Sequence, residues 1–176
     1  MTAGPLASTA PSRIRPQGGG QPGPDPGPAL EAETLVELAT APAYAVAERA
    51  RKALLGVLPN SALVLVCPGS PSVPVHIAAP PRLLQRLWAV GWTRMVGRIT
   101  PAGSGVTRLA LPGEVCGLHL AGWVVGSPGP AVSMVIGHHV PLSLTAGERD
   151  AAVRVAEHAA ARLRAIDNAR VVRALR

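Results

Sequence analysis

The chain has 176 residues, enough for one domain of ordinary size with its own core, and a second domain is not expected. Aromatic residues are scarce, with three Trp, one Tyr and no Phe, so any core is built from Ala, Val, Leu and Ile through many small contacts. The formal charge of +7 is almost all arginine, because Lys52 is the one lysine, and the arginines are spread out without interleaved aromatics, which argues against specific nucleic-acid binding.

Residues 1–28 are dominated by Pro, Gly, Ser, Thr and Gln, and a stretch such as 17–28 cannot hold a helix or a strand ladder. A disordered tail is the expectation there, followed by one domain over 29–176. Leu30, Thr34, Leu35 and Leu38, with Glu31, Glu33 and Glu37 near the start, predict a short helix that Pro42 interrupts. Pro42 also suits the first turn of a second helix, from Ala43 to about Val57, with an apolar stripe of Val46, Ala50, Leu54 and Val57.

The run Ala62 to Cys67 is short, β-rich and apolar on both faces, the pattern of a central strand covered on two sides. A turn follows, and Val73 to Ala78 returns as a second strand that Pro74 confines to an edge or to its own start. Pro80-Pro81 with Leu83, Leu84, Leu87 and Trp88 predicts a helix to about Met95, weakened at Gly91. Beyond the loop 100–105, strands are expected at Val106 to Leu111, Gly117 to Val125 and Ala131 to Gly137, forming an antiparallel meander with Glu114 in a turn.

The clearest element comes last. Thr145-Ala-Gly-Glu148 is a capping box, and beyond it Ala152, Val155, Ala156, Ala159, Leu163, Ile166, Ala169 and Val172 are read as one helical stripe. A continuous helix over 145–176 would be about 45 Å long, roughly twice a typical strand, so its far end must project beyond the sheet. Its apolar positions Val171, Val172 and Leu175 then need a partner, either the helix near Leu30 to Leu38 or the same helix of a second protomer.

Two cysteines, Cys67 and Cys116, lack Cys-x-x-Cys spacing, and free thiols are expected rather than a disulfide, redox motif or zinc site. Adjacent His138 and His139 at a strand end point to opposite faces, so they do not ligate one metal, and no metal or cofactor is expected. His76 and His158 read as incidental. Nearly all the acids sit at solvent-type helix positions, which leaves no paired carboxylates or activated nucleophile for catalysis. No apolar stretch of signal-peptide length or of about 18 residues is present, so a cytoplasmic protein off the membrane is expected.

The order helix, strand pair, helix, three strands and long helix resembles a GAF domain, as does the segment 141–170, with its Thr cap, Ala-rich helix and closing Asn168-Ala169-Arg170. The resemblance implies an α+β fold, a mostly antiparallel sheet of about five strands flanked by helices, in a sensor module related to PAS domains. It does not extend to the Asn-Lys-x-x-x-Phe-x-x-x-Asp-Glu signature of cyclic-nucleotide binders or to the cysteine neighbourhood of bilin carriers. By the same resemblance, the face shared by His119 and Trp123, near Cys116, lines the ligand cavity. The implied function is a regulatory module that is a homodimer through its terminal helices, with Leu35, Leu38, Ile166, Val172 and Leu175 as candidate contacts, and that holds a small molecule.

Three alternatives stay open. One is a ligand-free interaction scaffold whose cavity is filled by Leu and Val. Another is a basic nucleic-acid-associated protein, resting on Arg162, Arg164, Arg170, Arg173 and Arg176, which equally suit a helix C-terminus. The enzyme alternative, a GAF-type reductase of free methionine sulfoxide, lacks the clustered cysteines it would need.

Overall fold

The computed structural model describes residues 30, 32–68, 75–96, 105–126 and 129–176. The expected tail, Pro74 and most of the loop before Gly105 lie outside these residues. Helix α1, Ala32–Thr40, carries Glu33 in its first turn and buries Leu38. A single 3-10 turn, Ala43–Ala45, leads into α2, Val46–Leu54, which buries Val46, Ala47, Ala50, Ala53 and Leu54. The second helix is thus shorter than its sequence suggests. The amides of Val57 and Leu58 both bond back to the Leu54 carbonyl, closing the helix beside Gly56, a poor helix former.

The sheet contains β1 (Ala62–Val66), β2 (Val75–Ala78), β3 (Val106–Arg108), β4 (Glu114–Val115), β5 (Leu118–Val125) and β6 (Val132–His138). Its order is β2-β1-β6-β5-β3, with β4 also on β5, and every pairing is antiparallel. The first two strands form the expected pair, with β2 at the edge. Every residue of β1 is buried, because both faces of the sheet are covered.

Alternation assigns each face its own core. Leu63, Leu65, Ala121, Trp123, Met134 and Ile136 pack under α1, α2 and the C-terminal helix. Ala62, Val64, Val66, Leu118, Val124 and Val135 pack under α3 (Pro81–Ala89), α4 (Trp92–Val96) and Leu109. The expected single helix from Pro80 is two, because Val90 is extended and Gly91 follows it. The Trp92 indole donates to the Leu87 carbonyl at 2.8 Å, so the break leaves that buried acceptor satisfied.

Gly122 explains how the chain between β3 and β4 closes on this second face. A Cβ there would stand 2.8 Å from Leu111 Cδ1 and 3.1 Å from Leu109 Cδ1, so these two leucines occupy the space a side chain would need. Glu114, expected in a turn, instead forms β4 with Val115 and pairs with His119.

Helix α5, Ala146–Ala174, begins at the capping box. The Glu148 amide donates to Thr145 Oγ1 at 3.2 Å, and the Thr145 amide donates to Glu148 Oε2 at 2.7 Å. Its first half buries Ala151, Ala152, Val155, Ala156, Ala159, Ala160 and Leu163, five of them alanines that let the helix lie close to the sheet and to α1 and α2. Ala161, Ala165 and all residues from 168 onwards are exposed.

Candidate functional site

The exposed half of α5 is the first candidate. Val171, Val172 and Leu175 are 53%, 51% and 82% exposed, on a helix whose other half is fixed in the core. One stripe running from Ala152 to Val172 does not exist. Leu163 and Val172 are nine residues apart, about two and a half turns, which sets them on opposite sides of the helix.

Two arginines anchor the helix where it leaves the core. Arg162 Nε donates to the Ala41 carbonyl at 2.6 Å. Arg164 Nη2 donates to Val125 O at 2.9 Å, Gly126 O at 2.5 Å and Pro130 O at 3.0 Å, tying α5 to the turn between β5 and β6. Gly129, at φ +100°, lets that turn approach, since a Cβ there would lie 3.3 Å from Arg164 Cδ. Burial pulls the Arg164 pKa below its ordinary value.

Beside these anchors run two shallow grooves. One, of about 450 Å³, is lined by Pro42, Ala43, Ala165, Ile166 and Ala169 among others. The other, of about 510 Å³, is lined by Gly129, Pro130, Ala161, Arg164, Ala165 and Asn168. Ala165 borders both, so the exposed face of α5 is a ridge between two furrows.

A third groove, of about 400 Å³, opens at the start of α3 between Asn60, Pro80, Arg82, Leu83, Arg86 and His139. Asn60 takes the left-handed conformation, φ 59°, which Asn tolerates. Arg82 and Arg86 are one turn apart on α3, and among the described residues no acid lines the groove. Sequence reasoning weighed His139 only as a metal ligand beside His138 and did not bring these four polar residues together. The available signal was the pair of arginines four residues apart just after Pro80-Pro81.

The residues expected to line a ligand cavity are placed apart. Trp123 is 4% exposed within the core under α5. His119 lies on the same face of β5 but pairs with Glu114 on one side and His138 on the other. Cys116 is exposed in the turn before β5, at φ 54°.

Of the expected helix contacts, Leu38 is wholly buried within the protomer, and Leu35 and Ile166 pack partly buried against the same core. Val172 and Leu175 remain open to solvent. His139 lies just beyond β6, where the chain bends, so the rings of His138 and His139 stack with centroids 4.5 Å apart instead of pointing oppositely. The Val140 amide donates to His138 Nδ1 at 3.1 Å.

Cys67 is buried, and its thiol pKa is pushed up to about 12 by burial, reinforced by Asp167 and opposed by Arg164. It stays a neutral thiol. Cys67 follows β1 at one end of the sheet, while Cys116 precedes β5 at the other, on the order of 20 Å away along the strands. Among the described residues, no three His, Cys, Asp or Glu side chains gather as a metal site. No described helix is long and apolar enough to cross a membrane.

No protein-family model matches the chain, and no curated protein matches it. Among solved structures, it is similar to the GAF domain of a sensor histidine kinase from Pseudomonas syringae pv. tomato. That likeness has a TM-score of 0.52 at 18% sequence identity, covering 81% of this chain and 86% of the other. The antiparallel sheet with helices on both faces, closed by the long α5, is a GAF-like fold.

Proposed function

We propose that the chain is a non-catalytic regulatory module of the GAF-like kind that works by association through its terminal helices, with a second copy of itself as partner. The observation that carries this reading is the division of α5. Its first half is locked into the core, and its second half holds Val171, Val172 and Leu175 in solvent as a rigid extension of the same helix. A loose segment would bury such residues by collapsing onto the body, whereas a fixed helix can bury them only against another surface.

Support for a non-catalytic role comes from the two thiols. The buried neutral Cys67 has no resolving partner in reach, and a reductase of methionine sulfoxide would need one. The leucines and valines over the α3 face favour a filled interior there, the scaffold version of the reading. Sedimentation equilibrium of the full chain at several concentrations tests the proposal. A reversible dimer is expected, and a monomer at every concentration would overturn it.

A second reading, sensing of a small anionic molecule, has its own supporting observation. Arg82, Arg86 and His139 converge on one groove that no acid lines among the described residues. Native mass spectrometry of protein purified from its host separates the two. A retained anionic compound that leaves when Arg82 and Arg86 are both changed to Ala would support sensing.

A further inference from the structure

The groove at the start of α3 gathers cations that the rest of the fold leaves unpaired. Asn60 stands just before β1, His139 just after β6 and Pro80 just after β2, and the register that pairs Ala62 with Gly137 and Leu63 with Ala78 brings all three to one end of the sheet. Arg82 and Arg86 reach the same place from α3. Neither guanidinium meets an acid or a hydrogen-bond acceptor among the described residues, whereas those of Arg49, Arg51, Arg162 and Arg164 all do.

Each of the two arginines also stands where its charge costs stability. Arg82 lies in the first turn of α3, a nine-residue helix whose positive end has no acidic residue in that turn and, with Pro80 as its cap, no side-chain acceptor. Arg86, four residues on, repels it along the same helix face. The Arg86 guanidinium rests over this end of the sheet, since a Cβ on Gly117, in the left-handed turn that joins β4 to β5, would lie 3.3 Å from Arg86 Nη1. A negative charge in the groove reverses both costs.

On these observations, and resting on the second reading above, we infer that the groove binds the phosphate of a small phosphate monoester. Such a group has three unesterified oxygens and a charge of about −2, which match two guanidinium forks, an imidazole and an amide approaching from three separate segments of the chain. A carboxylate is satisfied by one fork and leaves the other arginine unpaired. A phosphate diester offers two free oxygens and a single charge, so it also falls short of the donor set.

The organic part of the ester has its own wall. Pro80 and Leu83 line the groove beside the cations, and about 400 Å³ is room for one small molecule. The site is at the rim of the sheet and not in the layer between α3 and the sheet, which Val64, Leu83, Leu87 and Val135 fill.

Titration calorimetry of the full chain at fixed ionic strength, with phenyl phosphate, diphenyl phosphate, benzoate and inorganic phosphate as probes, tests the assignment. Phenyl phosphate is expected to bind saturably, and each of the other three at least about tenfold more weakly. Changing Arg82→Ala and Arg86→Ala together is expected to weaken phenyl phosphate at least about tenfold. Because the double change removes two adverse charges, it is expected to leave the melting temperature no lower than that of wild type, which separates lost binding from lost folding.

Benzoate or diphenyl phosphate binding as tightly as phenyl phosphate, and lost in the double variant, overturns the monoester and leaves the anion-sensing reading standing. Inorganic phosphate binding equally tightly overturns the ester in favour of the free ion. If no anion binds wild type more tightly than the double variant, this inference and the sensing reading beneath it both fall.

Discussion

Both halves of α5 carry alanine, arginine and valine, yet one is core and the other surface. Ala156 and Ala159 are fully buried, while Ala161 and Ala165 are exposed one step around the same helix. Residue type therefore does not decide burial here. What decides it is whether the sheet, α1 and α2 lie opposite, and the helix outlasts all three. In the first half the small alanine side chain permits close approach to the body.

The largest test of that contrast places the same substitution in each half. Ala159→Glu forces an unpaired carboxylate into a packed site and is expected to cost about 4 kcal/mol or more, a large part of what an ordinary domain possesses. Ala165→Glu is expected to stay within about 0.5 kcal/mol when chemical denaturation is followed at low protein concentration. Equal losses at the two positions would mean that the second half is packed on the body after all.

This division was only partly legible in the sequence. The capping box at Thr145 and Glu148 and the doubly apolar run Ala62 to Cys67 are strong local signals, and both appear where expected. The length of α5 was legible too, because nothing from 146 to 174 breaks a helix. Its two faces were not, because a list of alanines and aliphatics satisfies several helical stripes at once and only the buried partners choose among them.

Strand β4 escaped for a different reason. Two residues, Glu114 and Val115, are too short to show a period, and their strand character comes from pairing with Leu118 and His119. The basic groove was hidden because Asn60, Arg82 and His139 come from separate segments that only the fold brings together.

A smaller effect probes the junction between the halves. Arg164 donates to three backbone carbonyls around the β5 to β6 turn, and hydrogen bonds from a charged group are worth more than neutral ones. Because the side chain is partly exposed, Arg164→Ala is expected to cost about 1–2 kcal/mol by urea denaturation. Arg164→Lys is not expected to restore it, since one ammonium cannot span acceptors on both sides of the turn as the planar fork does. Full recovery by lysine would show that the charge alone matters.

The smallest effect concerns what holds α1 in place against the first half. Glu37 on α1 meets Lys52 at 3.1 Å and Arg49 on α2. The hydrogen bond from Lys52 is the main cause holding the Glu37 carboxyl below its ordinary pKa of 4.5, with burial opposing and the charges of Arg49 and Lys52 assisting. A lowered folded pKa means that the pair stabilises the fold above the unfolded value and that this contribution disappears as pH falls through the folded one. Wild type should therefore lose slightly more stability than Glu37→Gln on acidification below pH 4.5, and the difference should shrink in high salt because the site is open to solvent. Melting temperatures of both proteins across that range measure it. Superimposable profiles would show that α1 stays on the body through Leu38 and its apolar neighbours, with the ion pairs contributing nothing to the contrast between the two halves of α5.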